Sequence, residues 1–311
     1  MENKKLKVIF VGMPDMAMVC LPNILQAGFD VVGVVPPEKT HATYGYFNEY
    51  VQSKKLNMID FDKSPNEKEC IEKISALKAD IGVVCSYNKL FSKEFLKTTK
   101  MGYINSHPSL LPNYRGAAPY FHVVNNGEKI SGITLHFADE TFDTGDIVYQ
   151  KQFEVLPFET MGTIFNRTNY MISDGLIEIL TKLQNGEELE RKVQDKENSF
   201  IEAPRVGGNF RIRWKTNSVF EIERLIRASN PFYNAFTFFR GVNLKVIKAS
   251  VFEKEHNLKY GEIALASDKN LLIAAKGGFL SLDVVQVSTW GVFEKRDFYY
   301  TFTPEVGEIL E

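Results

Sequence analysis

Asn105, His107 and Asp143 are the residues whose types and spacing carry chemistry in this chain. Asn105 and His107 stand two apart at the end of a short β-rich run, GYIN at 102–105. In extended chain that spacing points both side chains the same way. Asp143 sits in a Thr-Phe-Asp-Thr-Gly turn at 141–145, between two further strand-like runs. Together the three supply an amide donor, an imidazole and a carboxylate that orients it. Such a trio suits acyl transfer to an amine, in which the attacking nitrogen loses a proton and the carbonyl oxygen gains negative charge. Asn105 and a protonated His107 could donate hydrogen bonds to that oxygen. Asp143 could hold the imidazole cationic, or relay a proton through water. Ser106 and Ser109 flank the histidine, but no G-x-S-x-G elbow is present and no serine nucleophile is expected.

The elements that must position these residues follow from periodicity. Apolar runs at 6–11, 30–35, 58–61, 80–85 and 102–105 read as strands, and 16–27, 44–54 and 67–77 as helices. Strands apolar at every position and alternating with helices predict an open, mostly parallel Rossmann-like sheet covered on both faces. Asn105 and His107 would then stand at a strand's carboxyl end, where such sheets bind ligands. Residues 132–137 and 146–153 add two strands, and 159–183 a long helix closed by Asn185-Gly186. Residues 186–210 are polar and end in PRVGGNF, a linker pattern. Beyond it, a helix at 219–228 with Ser218 as N-cap precedes short β runs at 236–239, 244–251, 261–266, 271–275 and 280–287. Gly277-Gly278 turns between the last two, and the pattern predicts a small β-barrel. The domains expected are thus 1–185, a linker at 186–210, and 211–311.

Bulk properties exclude several classes. A net charge of −2 does not mark a strongly basic nucleic-acid binder. The turn VGMPDMA lacks G-x-G-x-x-G, and no G-x-x-x-x-G-K-[ST] occurs, so neither a dinucleotide nor ATP follows from the fold. Cys20, Cys70 and Cys85 show no metal-ligand spacing and read as reduced, buried thiols. No signal peptide or apolar membrane span is evident, and a cytoplasmic protein with no membrane partner and no metal is expected.

The stretch 104–147 resembles the formyltransferases that use 10-formyltetrahydrofolate, whose pattern is N-x-H-x-S-L-L-P-x-[YW]-R-G, G-x-T-x-H and D-x-G-x-D-x-G. This chain shows NSHPSLLPNYRG at 105–116, GITLH at 132–136 and DETFDTG at 139–145. The resemblance implies that Asn105, His107 and Asp143 are the catalytic residues. It implies a folate pocket lined by Ser109, Leu110, Leu111 and Pro112, by Ser86, Tyr87 and Leu90 at the preceding strand end, and by Asp139 in the loop over the pterin. It implies a role in one-carbon metabolism, with 10-formyltetrahydrofolate as donor and no covalent intermediate on the protein. His136 matches the G-x-T-x-H position and reads as a support for the loop, not a base. His41, His122 and His256 lie outside any motif. One departure is Thr141, where the family has Gly; a left-handed backbone there would be strained.

Residues 212–239 resemble the start of the C-terminal domain of methionyl-tRNA formyltransferases, which act in protein biosynthesis. That resemblance implies initiator tRNA as acceptor and partner. Amino-sugar formyltransferases carry related domains, and a 10-formyltetrahydrofolate hydrolase would share the trio. Two features favour a sugar or other small amine. The chain opens GMPDMA, not G-T-P-x-F, and its loop PPEKTHATYGY holds one lysine. From residue 206 onward there are 14 Lys and Arg against 12 Asp and Glu, little excess for gripping phosphates. Arg205, Arg211, Arg213 and Lys215 cluster near the linker.

Overall fold

The computed structural model describes residues 5–195, 200–201 and 210–311. The chain divides into two compact units, Met1–Pro119 with Ile130–Phe153 and Phe165–Glu202, and Tyr120–Lys129 with Glu154–Ile164 and Ala203–Glu311. Two short excursions from the first stretch therefore group with the C-terminal residues, which no single cut in the chain anticipates. Arg205 and the PRVGGNF stretch up to 209 lie outside the described residues.

Up to residue 201 the elements are β1 (Lys7–Gly12), α1 (Pro14–Gln26), β2 (Asp30–Val35), α2 (Tyr44–Ser53), α3 (Lys68–Ala76), β3 (Ile81–Cys85), α4 (Lys93–Leu96), β4 (Tyr103–His107), β5 (Arg115–Gly116), α5 (Pro119–Asn126), β6 (Ile130–Phe137), β7 (Ile147–Glu154), α6 (Met161–Gln184) and β8 (Phe200–Ile201). The main sheet runs β2-β1-β3-β4-β6-β7. Its first four strands are parallel, and β4 pairs antiparallel with β6. Residues 58–61 make only one bridge, Met58 with Val34, so the strand predicted there does not form.

The continuous apolar runs are explained by burial on both faces. Val8 and Phe10 of β1 join Ile81, Val83 and Ile104 in a core shared with α1 and α6. Ile9 and Val11 point the other way, into a core with Val84, Tyr103, Ile74 and Phe95. Each such side chain contributes about 1.5–3 kcal/mol on burial, so both helical layers hold β3 and β4 in place. The long helix buries Ile164, Ile172, Leu176 and Leu180 completely, at the spacing that predicts it.

The second unit contains α7 (Val219–Ser229), β9 (Ala235–Phe239), β10 (Val242–Phe252), β11 (Ile263–Ala266), β12 (Leu271–Ala275), β13 (Gly278–Val287), β14 (Gly291–Glu294) and α8 (Lys295–Phe302). Ser218 and Glu221 form a reciprocal capping box at the start of α7. The antiparallel sheet is ordered β11-β12-β13-β10-β9. The last residues bond both of its edges. Ile263 N–H donates to Glu308 O and Leu310 N–H to Gly261 O, each at 2.8 Å, while Phe238 and Glu311 exchange two bonds of 3.0 Å. This strap closes the sheet into a barrel around Trp214, Val246, Ile273 and Leu282.

Candidate active site

His107 is the last residue of β4, and Asn105 lies two residues before it on the same face. Antiparallel pairing sets Asn105 directly opposite His136 of β6, the arrangement in which cross-strand side chains touch. Asn105 Nδ2 is 3.0 Å from His136 Nε2 and donates to Asp143 Oδ1 at 3.1 Å. His136 Nδ1 faces the carbonyl of Phe137 at 2.9 Å. In the tautomer protonated at Nδ1, that carbonyl accepts from the ring and Nε2 accepts from the Asn105 amide. Both hydrogens of Asn105 are thus engaged, and its side-chain oxygen turns away from Asp143 and His136.

Asp143 is delivered by the β6–β7 connection. Its backbone is left-handed, with φ 59°. The sequence reading places that strain at Thr141; the structure places it at the carboxylate itself. Thr141 is instead tied to Asp139, whose Oδ1 accepts from Thr141 N–H and Thr141 Oγ1, each at 3.0 Å. Gly145 follows because a Cβ there would lie 1.8 Å from the Phe137 carbonyl oxygen. Two further residues hold the turn: Arg115, the arginine of the 105–116 motif, and Gln194, which no sequence pattern marks. Arg115 Nε donates to the Asp143 carbonyl at 3.1 Å, and Gln194 Nε2 donates to the same oxygen at 3.0 Å and to Gly145 O at 2.6 Å. Arg115 Nη2 in turn donates to Gln194 Oε1 at 2.9 Å. Arg115 and Gln194 are 3% and 4% exposed. Gln194 falls within the stretch read as linker, where polar composition hides a buried residue.

His107 Nδ1 stands 3.5 Å from Asp143 Oδ2, and its Nε2 donates to the Tyr114 carbonyl at 2.8 Å. The Gly116 N–H donates to Asp143 Oδ2 at 2.8 Å. Burial pushes the Asp143 carboxyl up, but His107, His136 and the Gly116 amide together outweigh it and hold the group well below the usual range. For His107 burial is the larger effect. It lowers the pKa below 6.5 although Asp143 and the Tyr114 carbonyl pull upward. The resting pair is therefore a carboxylate beside a neutral imidazole. Such a pair can take up a proton and stabilise the imidazolium that results.

Apart from Asp139, which follows β6, the residues expected to line the folate pocket leave the carboxyl ends of the adjacent parallel strands β3 and β4. Ser86 follows β3 with φ 55°. Tyr87 donates to the Pro36 carbonyl at 3.0 Å, and Leu90 is 41% exposed. Ser109 Oγ donates to Asn113 O at 2.7 Å. Thr134 Oγ1 donates to Ser109 O at 2.6 Å and accepts from Leu111 N–H at 3.1 Å. Leu110 packs over Gly132, and Leu111–Pro112 is a cis peptide bond. Asp139 accepts from Thr144 Oγ1 as well as from Thr141, within its own loop. Among the described residues no cluster of three His, Cys, Asp or Glu is arranged to hold a metal ion. No helix of the described chain is long and apolar enough to cross a membrane. Cys20, Cys70 and Cys85 are free and buried.

Residues 6–180 match the family model described as formyl transferase, and residues 208–299 match that of the formyl transferase C-terminal domain. A methionyl-tRNA formyltransferase of Alkaliphilus oremlandii is 32% identical over 311 aligned residues, 98% of this chain and 99% of its own length. That of Clostridium tetani is 31% identical over 98% of this chain and 100% of its own. Among solved structures, an N-formyltransferase of Helicobacter canadensis, in complex with folinic acid and dTDP-3-aminofucose, superposes with a TM-score of 0.69 at 21% identity. It spans 91% of this chain and 100% of its own.

Proposed function

Because the chain belongs to the formyl transferase family and is a formyltransferase, we propose that it moves the formyl group of 10-formyltetrahydrofolate to the amino group of methionyl-tRNA through Asn105, His107 and Asp143. The observation that carries this reading is the convergence of those three side chains at the carboxyl end of β4, with His107 and Asp143 both buried. Transfer breaks the bond from the formyl carbon to N10 of the folate and makes one to the acceptor nitrogen. The proton lost by the amine balances the one gained by N10. Neutral His107, backed by the Asp143 carboxylate, receives the amine proton and returns it to the leaving nitrogen. The Asn105 side-chain oxygen accepts an N–H of the amine and orients it. An N–H of Asn105 serves the negative formyl oxygen only if it leaves His136 or Asp143, so donation to that oxygen comes with a shift in this network.

The donor's ring system needs apolar surface beside backbone polar groups, and the β3 and β4 loops offer Leu90 and Leu110 beside carbonyl and amide groups. Support for methionyl-tRNA comes from relatives of that name that align along nearly the whole chain, C-terminal domain included. A second reading, an amino-nucleotide sugar as acceptor, is favoured by the near-neutral charge beyond residue 206 and the single lysine of the PPEKTHATYGY loop.

The test offers the protein labelled formyl donor with charged initiator tRNA, with a panel of amino-nucleotide sugars, and with no acceptor. Transfer to methionyl-tRNA is expected. Transfer to sugars alone would overturn the acceptor, and formate release that no acceptor suppresses would identify a hydrolase.

A further inference from the structure

A cavity of about 450 Å³ opens in the C-terminal unit, within the size range of small-ligand sites. It is walled by the turn after α5, by residues 155–157, by the outer side of α7 and by residues 249–251 of β10. From α7 it receives Phe220, Glu223, Arg224 and Arg227, spaced to share one helix face, while Val219, Ile222 and Ile226 face the core. None of the lining residues belongs to the catalytic network.

The cations are arranged unequally. Arg227 is committed: its guanidinium holds both oxygens of Glu223, at 2.5 and 2.9 Å, and donates to Glu159 O at 2.8 Å. Arg224 is anchored only through Nε, which donates to Asn125 O at 3.1 Å. Gly127, at φ +71°, lets the guanidinium lie against the turn, since a Cβ there would sit 3.0 Å from Arg224 Cδ and 3.4 Å from Nε. The plane is thereby fixed while the terminal nitrogens make no hydrogen bond among the described residues. Lys129 stands on the same turn, exposed. Counting Glu128 and Glu223, the lining carries one positive charge in excess. Phe220, 42% exposed, adds a flat apolar face.

A pre-set guanidinium fork, with a lysine in the same cavity wall, suits a phosphate, and an exposed ring matches the face of a base. We propose that this cavity binds a nucleotide, its phosphate on Arg224 and Lys129 and its base against Phe220. The inference stands apart from the choice of formyl acceptor, since it uses none of the catalytic residues.

Equilibrium dialysis of the full chain against radiolabelled AMP tests it, with inorganic phosphate and adenosine as partial probes. AMP should bind saturably, more tightly than either fragment, and more weakly as salt rises. Arg224→Ala should weaken AMP roughly ten-fold or more. Lys129→Glu, on an exposed turn where folding is not at stake, should weaken it in the same sense. Phe220→Ala should weaken AMP while leaving inorganic phosphate unchanged. Displacement of AMP by uncharged tRNA would assign the site to a polynucleotide, and displacement by dTDP alone to a free nucleotide. Failure of AMP to bind at millimolar concentration, or equal binding by wild type, Arg224→Ala and Lys129→Glu, would overturn the proposal.

Discussion

At the scale of single residues, the proposed chemistry turns on which protonation state His107 holds at rest. The sequence leaves two readings open, a cationic donor or a partner of Asp143 in moving a proton. Burial decides between them, because His107 is 4% exposed and its burial outweighs the carboxylate beside it. The sign is then fixed. A histidine pKa below 6.5 means the proton is lost before neutral pH is reached, so the neutral ring is the form the proposed transfer uses. NMR titration of His107 in the free protein should give a value below 6.5, and a still lower one in Asp143→Asn, which removes the charge that pulls it upward. A value above 6.5 would restore the cationic reading. His136 enters at the same scale. It is 1% exposed and lies against the Asn105 amide, so it supports a residue of the proposed trio rather than the loop alone.

At the scale of elements, the loop carrying Asp143 is held by its backbone. The left-handed φ of Asp143 carries a strain of about 1–3 kcal/mol, and the clamp of Arg115 and Gln194 on its carbonyl keeps the carboxylate aimed at His107. Gln194→Ala should lower kcat by roughly ten-fold while leaving donor affinity within about two-fold, since a lost buried hydrogen bond is worth about 1–3 kcal/mol. Gln194→Glu separates aim from packing. It keeps the acceptor for Arg115 but loses both N–H donors, and it should be as slow as Gln194→Ala in a protein that folds normally. Wild-type kcat in both variants would contradict the clamp. Much of this level is legible beforehand. The i, i+2 spacing of Asn105 and His107 and the all-apolar strands follow from local pattern, and so does the Ser218 cap. Asp143, 38 residues from Asn105, is not found by spacing; only the family motif reaches it. Gln194 lies in a polar stretch without periodicity, and its role exists only once the chain has folded back on Arg115. Residues 58–61 mislead because apolar content marks burial, and Ile59 and Phe61 are buried without extending the sheet.

At the scale of the molecule, the chain forms two units with separate cores. The barrel depends on its final strap, in which Leu310 is 3% exposed beside bonds to both sheet edges. Leu310→Ala should cost the C-terminal unit about 2–5 kcal/mol in thermal unfolding while folinic acid binding, expected in the first unit, persists; an unchanged melting curve would show that the strap is not needed for closure. The proposed assignment of Asn105, His107 and Asp143 to the transfer step is the claim most directly open to test. Single-turnover transfer from labelled 10-formyltetrahydrofolate, with donor binding measured in parallel, should show His107→Ala slowed about 100-fold or more with the donor bound nearly as in the wild type. Near-normal turnover by His107→Ala would contradict it.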